Sequence, residues 1–346
     1  MCGAVQREAG YDGRATHTPG GEGLIGALLP ARRRAPGHPV TTIADRSVSP
    51  ARPLRTARAT VAAYVSLTKP KLVELLLVTT LPAMMLADGG WPGTGLVVAT
   101  LVGGMLAAGA ANTINCWYDR DIDRLMSRTR DRPIPSGVIS PRNALVFGVL
   151  LAWVSLVLLG LFTTPLATAL AAAAVLAYSV LYTMVLKRRT RHNTVFGGLP
   201  GAAPVLIGWA AVTGSLAWPA VVFFGIVFCW QMPHFWALAS RFRFDYFRAG
   251  VPMLSVVAGP VTVGQQSVAW AWGTLGTSLL MVPATPQLGW ITGLATLGLG
   301  AWYVAESHAW LRRIRSGGPD RPMKLFSVSI TYMTLLSIAL VADVLV

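Results

Sequence analysis

The sequence predicts an all-α, polytopic membrane protein with nine transmembrane helices. The first observation is composition: 53% of the 346 residues are hydrophobic and only 12% are charged, with a mean hydropathy of +0.55. This balance is too apolar for an ordinary soluble domain. The second observation is that apolar runs long enough to span a bilayer recur along the chain. The third is the distribution of Lys and Arg between those runs.

The nine predicted spans follow one another along residues 72–346. Charged residues and Pro or Gly separate most of them, because neither continues an apolar helix in a bilayer. The nine ranges are 72–87, 95–116, 144–162, 166–186, 195–214, 218–239, 261–282, 288–307 and 325–346.

All 29 Lys and Arg residues lie on one side of this arrangement. They fall in the N-terminal arm and in segments 117–143, 187–194, 240–253 and 308–324, whereas loops 88–94, 163–165, 215–217 and 283–287 contain none. The positive-inside rule predicts a multi-pass cell-membrane protein with a cytoplasmic N-terminus and an outside C-terminus. The net charge of +15 indicates topology and attraction to membrane lipid. It does not indicate nucleic-acid binding, because no nucleic-acid module is visible.

Residues 1–60 form a separate region of the sequence. They are rich in Gly, Pro, Arg and Ala, which predicts a disordered, basic cytoplasmic arm. Residues 61–346 form the predicted transmembrane domain. The three cysteines, Cys2, Cys116 and Cys229, are far apart and form no CxxC pair. Neither a disulfide framework nor a zinc site is predicted.

Three polar residues spaced four apart lie at the end of the second predicted span and just after it: Asn115, Asp119 and Asp123. In a helix this spacing places all three side chains on one face. Two carboxylates and an amide at a membrane helix end require a cation, most readily a divalent metal. The trio faces the cytoplasm in the predicted topology, so a metal site is expected there.

The same segment has a simpler interpretation as a solvated helix end with alternating charges. In that case Arg120 and Arg124 pair with the neighbouring acids. The position of Asn115, one turn deeper in the apolar helix, favours the metal site. Asp121 points to the opposite side of the helix from Asp119, so it is expected to face solvent or a salt-bridge partner.

Basic residues in two cytoplasmic loops could complete an anion site. Arg128 and Arg132 follow the acids, and Lys187 and Arg188 close the fourth span. Carboxylates that hold Mg²⁺, together with Arg or Lys, suit a metal-bound phosphate ester. The alternative for Lys187 and its neighbours is anchoring of the helix at the membrane surface.

A third cluster follows the sixth span. His234 lies in an aromatic helix directly after Pro233, which frees a backbone carbonyl and favours a specialised cavity. A lone helical His is nevertheless often a hydrogen-bonded structural residue. Asp245, flanked by Arg241 and Arg248, is either a further metal carboxylate or a paired surface acid.

Several of these segments resemble one known family. They are Leu67–Lys71, the Asn-xxx-Asp-xxx-Asp pattern inside 115–135, Trp-Tyr-Asp-Arg-Asp-Ile-Asp at 117–123, and Gln-Met-Pro-His-Phe-Trp at 231–236. Together they resemble the UbiA superfamily of intramembrane prenyltransferases, and within it the protohaem IX farnesyltransferase (haem O synthase) family. The resemblance covers about residues 66–346 and implies a UbiA-like transmembrane prenyltransferase bundle.

The resemblance implies a reaction and a set of site residues. Farnesyl diphosphate would bind through Mg²⁺, and its farnesyl group would pass to a vinyl group of protohaem IX with addition of water, giving haem O. The implied metal and catalytic residues are Asn115, Asp119, Asp123 and Asp245, and the implied diphosphate ligands are Arg128, Arg132, Lys187, Lys69 and Arg188. His234 is implied on the haem side. Ala249 occupies the second position of an Asp-xxx-Asp pattern that many superfamily members carry.

Two other functions remain open from the sequence. A prenyltransferase of the same superfamily could act on an aromatic quinone precursor such as 4-hydroxybenzoate. A secondary transporter is a different class, but transporters usually place charges and broken helices near the bilayer midplane. A downstream haem-modifying enzyme is a further expected partner.

Overall fold

The computed structural model describes residues 56–346, except for the side chains of 71–77. These residues form helices and loops and contain no strand. Helix α1 (Ala57–Thr68) begins at Ala57, with Thr56 as its cap. Residues 57–60, which the sequence assigns to the disordered arm, are therefore helical. The rest of the predicted arm lies outside the described residues.

The described chain contains both short and long helices. After α1 they are α2 (Pro70–Asp88), α3 (Thr94–Tyr118), α4 (Arg120–Leu125), α5 (Pro141–Phe162), α6 (Pro165–Leu186), α7 (Asn193–Thr213), α8 (Trp218–Arg241), α9 (Arg243–Arg248), α10 (Leu254–Val257), α11 (Pro260–Leu279), α12 (Met281–Ala284), α13 (Trp290–Arg315) and α14 (Pro322–Leu345). Residues Ala177–Leu186 of α6 form a π-helix.

Each predicted span falls on one long helix of the described part, except that the seventh, 261–282, runs from α11 into α12. Six of these helices, α3, α5, α6, α7, α8 and α14, are long and apolar enough to cross a membrane. The multi-pass character is thus supported, while the count of nine crossings stays a prediction. Helix α13 continues beyond the eighth predicted span, from 307 to Arg315. There Arg313 reaches back to the buried Glu306 at 2.6 Å, which stabilises the extra turns.

Helix starts follow ordinary capping chemistry. Ser140 Oγ accepts a hydrogen bond from the Asn143 amide at 3.2 Å, and Thr164 Oγ1 caps α6 in the same way. Proline occupies the first turn of α2, α5, α6, α8, α11 and α14. Its missing N–H costs nothing there, since the first amides of a helix have no partner within it. The proline and the capping side chains therefore mark where these helices begin.

Close contacts between small residues bring the long helices together. α3 packs on α5, where Ser155 Oγ donates to the Gly103 carbonyl at 2.7 Å. A large buried core then joins α8 to α11, α13 and α14, and includes Trp230, Tyr303 and Tyr332. The Tyr303 hydroxyl donates to the Trp230 carbonyl at 3.0 Å, which links α13 to α8.

Two smaller apolar clusters hold the loops at one end of the bundle. In the first, Ile134 and Ile139 pack against Leu67, Cys116 and Ala144. In the second, a group from the α4 region packs against the segment that follows α8: Ile122, Met126, Ala239, Ala249, Val251 and Met253. These contacts fix the loops that carry the predicted site residues.

Candidate active site

The end of α3 and the start of α4 present the trio Asn115, Asp119 and Asp123, called here the acid face. The Asp119 amide donates to the Asn115 carbonyl at 2.9 Å, and the Asp123 amide donates to the Asp119 carbonyl at 2.8 Å. The four-residue repeat therefore continues across the junction, and the prediction of a shared face is confirmed. All three residues are buried, with 3%, 1% and 2% exposed surface.

Three basic side chains cover the acid face. Lys187 forms an ion pair with Asp119, and Arg132 Nη1 lies 2.8 Å from Asp123 Oδ2. Lys69 Nζ donates to Asn115 Oδ1 at 3.0 Å. These three residues were predicted as anion ligands, and the structure places each on a different residue of the trio.

The π-helix at the end of α6 brings Lys187 to this position. The Lys187 amide donates to the Tyr182 carbonyl, five residues earlier, at 2.8 Å. A π-helix has a wider turn than an α-helix and often occurs at functional sites. Thr183 from the same segment accepts a hydrogen bond from Asn115 Nδ2 at 3.2 Å. The wide turn therefore lets Thr183 and Lys187 contact the acid face together.

The pKa values of the three basic residues shift in different directions. Burial lowers the pKa of Lys187, but the Asp119 carboxylate outweighs this effect and raises it above the ordinary value. The pKa of Arg132 is also raised, because Asp123 outweighs burial. Burial lowers the pKa of Lys69, and the nearby cations Arg132 and Lys187 add to that effect. Lys187 and Arg132 are thus firmly cationic partners of the two carboxylates.

Asp121 and Arg188 form the outer edge of the site. The Asp121 side chain is 60% exposed, and its two oxygens lie 2.7 Å from Arg188 nitrogens. The prediction that Asp121 faces solvent or a salt-bridge partner is confirmed. Hydrogen bonding to Arg188 lowers the pKa of the Asp121 carboxyl. Arg188 also approaches Asp119 at 3.3 Å, which links the outer pair to the acid face.

Asp245 and Arg128 lie in a neighbouring group with different partners. Asp245 accepts hydrogen bonds from Ser127 Oγ at 2.9 and 3.0 Å and from Arg248 at 2.5 Å. Arg128 donates to the Tyr246 hydroxyl at 2.7 Å. Burial raises the pKa of Asp245, but hydrogen bonds from Arg248 and Ser127 lower it below its usual value. The structure thus joins the two loops through Ser127 but does not bring Asp245 onto the acid face.

His234 lies between α8 and α14, away from this group. Its Nδ1 is 2.7 Å from Ser329 Oγ. Its ring stacks on Phe326 at 4.4 Å and on Trp230 at 4.9 Å between centroids. None of its contacts among residues 56–346 is with an acidic residue. Its assignment to the haem side stays a prediction.

Sequence reasoning missed two residues that support the site. Thr183 lies on the acid face, and Ser127 holds Asp245 in place. Thr183 precedes Lys187 by four residues, and this spacing is the one sequence signal for it. The π-helical turn that brings both side chains to the acid face has no recognisable sequence pattern. Ser127 is a polar loop residue with no distinguishing pattern around it.

The donor set of the acid face suits a magnesium ion that arrives with an anionic ligand. All its donors are oxygens, as Mg²⁺ requires, and two buried carboxylates already hold cationic groups. In the described part of the chain, no three His, Cys, Asp or Glu side chains converge as a ready-made cage. Mg²⁺ typically uses one or two carboxylates and takes its other ligands from water and phosphate. The residues therefore fit this metal.

Comparison with known proteins agrees with this chemistry. The model of the UbiA prenyltransferase family matches residues 76–330. The chain belongs to the UbiA prenyltransferase family, and it is an enzyme of the prenyltransferase class.

The curated relatives of this chain share one name within the prenyltransferase class. A protein from Salinispora tropica named protoheme IX farnesyltransferase is 52% identical over 310 residues, which cover 90% of this chain and 96% of the relative. A protein of the same name from Paenarthrobacter aurescens is 47% identical over 305 residues, covering 88% and 95%. The similarity thus extends over nearly the whole length of each relative.

Solved structures share the fold. A structure of digeranylgeranylglyceryl phosphate synthase aligns with a TM-score of 0.67 at 17% identity, covering 82% of this chain and 98% of the other. A UbiA homologue from Archaeoglobus fulgidus, bound to DMAPP and Mg²⁺, aligns with a TM-score of 0.54 at 15% identity, covering 81% and 99%. At these identities the likeness establishes the bundle architecture.

Proposed function

We propose that the chain is a protohaem IX farnesyltransferase that makes haem O. The allylic C–O bond of farnesyl diphosphate breaks, and a C–C bond forms between the farnesyl carbon and a vinyl carbon of protohaem. Water adds to the other vinyl carbon and loses a proton, and diphosphate leaves. The relatives at about half identity support the reaction. The observation that carries the site assignment is the buried acid face with its three basic partners.

The basic residues stabilise the charge that develops as the C–O bond breaks. Diphosphate becomes more negative on departure, and Lys187, Arg132 and Lys69 lie together at this point. Fixed cations in a buried site stabilise such charge more strongly than water does. Mg²⁺, held by Asn115, Asp119 and Asp123, would supply additional Lewis-acid stabilisation of the phosphate oxygens. Arg188 and Arg128 are further diphosphate ligands at the edge of the site.

Asp245 completes the proposed site from the second loop. Ser127 links it to the segment that follows Asp123, so both loops can close on one ligand. Ala249, the position where a second acid could stand, packs in the apolar cluster with Ile122. Asp245 therefore acts as a single carboxylate on its side.

His234 is the proposed haem-side residue. Its Nδ1 is engaged by Ser329, and Nε2 has no hydrogen-bond partner among the described residues. A His that binds a metal commonly has its other ring nitrogen fixed in this way, and haem iron takes His ligands. His234 would hold the haem acceptor from the α8 side.

The membrane setting and partners belong to the same proposal. The basic loops face the cytoplasm of the cell membrane, the N-terminus lies on that side and the C-terminus lies outside. Membrane lipid surrounds the apolar helix surfaces, and the exposed Trp153 and Leu161 of α5 are part of that surface. A downstream haem-modifying enzyme would take the lipophilic product.

The acceptor can be tested directly. Purified protein is given farnesyl diphosphate with either haem or 4-hydroxybenzoate, with and without Mg²⁺, and the products are identified by mass. We expect haem O only with haem and only with Mg²⁺. A prenylated aromatic acid in place of haem O would overturn the proposed acceptor while leaving prenyl transfer intact.

A further inference from the structure

Each residue of the acid face has at least one oxygen engaged by a basic group. Lys187 holds Asp119, Arg132 holds Asp123 at 2.8 Å, and Lys69 holds Asn115 Oδ1 at 3.0 Å. These oxygens belong to the three residues that would hold the proposed metal. A metal that takes one of these oxygens competes with its basic group, which is then free to bind another anion.

The charge balance of the site opposes a free divalent cation. Lys187 and Arg132 alone cancel the two carboxylates of the acid face, and Arg188 reaches Asp119 as well at 3.3 Å. The site therefore carries no net negative charge that would attract free Mg²⁺. A prenyl diphosphate carries a charge of about −3, since the last ionisation of a phosphate ester lies near pH 6. Its complex with one Mg²⁺ remains anionic, and the site can attract it.

Lys69 shows that the arrangement is built into the backbone. It has φ of 53°, and it is the one residue other than glycine with positive φ in the described part of the chain. This left-handed conformation is unfavourable for a lysine, because the Cβ comes close to the following carbonyl oxygen. Backbone strain of this kind is often retained where function requires a side chain at one place. Here the strained residue ends α1, precedes α2 and places its amine on Asn115.

We propose that Lys69, Lys187 and Arg132 are exchangeable counter-ions of the acid face, which a metal–diphosphate complex displaces as it binds. The three basic groups then move from the acid-face oxygens to the phosphate oxygens. The metal therefore binds together with the diphosphate and not before it. This inference rests on the proposed function for the nature of the anion, but it needs only a diphosphate and makes no use of the haem acceptor.

Equilibrium dialysis with Mn²⁺ as the metal probe tests the exchange on the purified full chain. Metal retained by the protein is measured with and without inorganic pyrophosphate. Coupling between two ligands typically changes affinity 5- to 150-fold, so we expect Mn²⁺ alone to bind at least about tenfold more weakly than Mn²⁺ with pyrophosphate. Linkage requires Mn²⁺ to raise pyrophosphate affinity by the same factor.

Variants separate the exchange from simple metal binding. Lys69→Asn removes the amine and keeps a residue that tolerates positive φ, and it should raise the affinity for Mn²⁺ alone by about tenfold, within that coupling range. Arg130→Gln is the matched control, because among residues 56–346 the ion pair of Arg130 is with the exposed Asp131 alone. Lys187→Met is a second variant with the same expected direction. All three are checked for folding by their thermal unfolding in detergent.

Two outcomes overturn the inference. One is that Mn²⁺ alone binds the unchanged protein as tightly as it does with pyrophosphate. The other is that Lys69→Asn leaves the affinity for Mn²⁺ alone equal to that of Arg130→Gln. Haem O formation is measured in the same preparation. Haem O without the exchange refutes only this inference, whereas the exchange without haem O refutes only the proposed acceptor.

Discussion

Lys187 and Asp119 form the ion pair whose basic partner should be the most costly to remove. Its removal should lower the free energy of unfolding more than removal of the basic partner from any other ion pair of the site. Asp119 is 1% exposed, and Lys187→Met would leave its carboxylate with Asn115 Nδ2 at 2.8 Å and Arg188 at 3.3 Å. Breaking a buried pair from one side costs about 3–5 kcal/mol, because an uncompensated charge stays buried. Since Arg188 remains nearby, we expect the lower end, about 3 kcal/mol.

A double-mutant cycle measures this pair. The free energy of unfolding is obtained by SDS titration of the purified protein in detergent, followed by tryptophan fluorescence. Adding Asp119→Asn to Lys187→Met removes the stranded charge, and it should recover most of the loss, since neutral replacement of a buried pair is often nearly neutral. A cost below about 1 kcal/mol for Lys187→Met, or no recovery in the double mutant, would refute the reasoning.

Three further predictions follow from single contacts. Asp121→Asn should cost less than about 1 kcal/mol at pH 7, because its partner Arg188 is an outer-edge residue. The folded-state pKa of Asp121 lies below 3.8, so the ionised carboxyl stabilises the folded state above that pH, and the cost of the substitution should disappear as the pH falls through the folded-state pKa. An unchanged cost in acid would contradict this. Gly208→Ala should destabilise the protein by about 1–3 kcal/mol, because the added Cβ would lie 2.8 Å from a backbone oxygen of α2. Gly104→Ala is the control, since a Cβ there has nothing within 4 Å. Equal free energies of unfolding for the two variants would contradict this prediction. His234→Ala should weaken haem binding measured by absorbance titration, and an unchanged affinity removes this residue from the haem side.

The positions of the helices could be predicted because they depend on local sequence. Apolar runs of bilayer length mark the spans, and a four-residue spacing defines a helix face wherever backbone hydrogen bonds continue. Both rules hold at Asn115, Asp119 and Asp123, even though α3 ends at Tyr118 and α4 starts afresh. Asp121 on the opposite side follows from the same geometry.

The partners across the bundle could not be predicted in this way. The nearest basic residues in sequence, Arg120 and Arg124, are not those that hold the acids. Arg120 instead donates to the Trp117 carbonyl at 2.7 Å. Lys187, 68 residues from Asp119, takes that place because a π-helix redirects the end of α6. Such long-range pairing depends on helix packing, which periodicity does not encode.

The environment of His234 also could not be predicted from the sequence. Its neighbours Trp230 and Phe235 are visible in the motif, but Ser329 and Phe326 come from α14. Only the packing of α8 on α14 shows that one ring nitrogen is engaged and that the ring is stacked between aromatic groups. The sequence therefore indicated a specialised residue without indicating its surroundings.

The central claim is that the acid face is the metal and diphosphate site of a haem farnesyltransferase. Its most direct test is the rate of Mg²⁺-dependent haem O formation in membranes containing the unchanged protein, Asp123→Asn or Asp131→Asn. Asp123 is buried against Arg132, whereas the Asp131 side chain is 90% exposed. We predict a loss of at least about 100-fold for Asp123→Asn, the scale for removing one group that stabilises transition-state charge, and an unchanged rate for Asp131→Asn. Equal rates for the two variants, with both proteins inserted, would contradict the account.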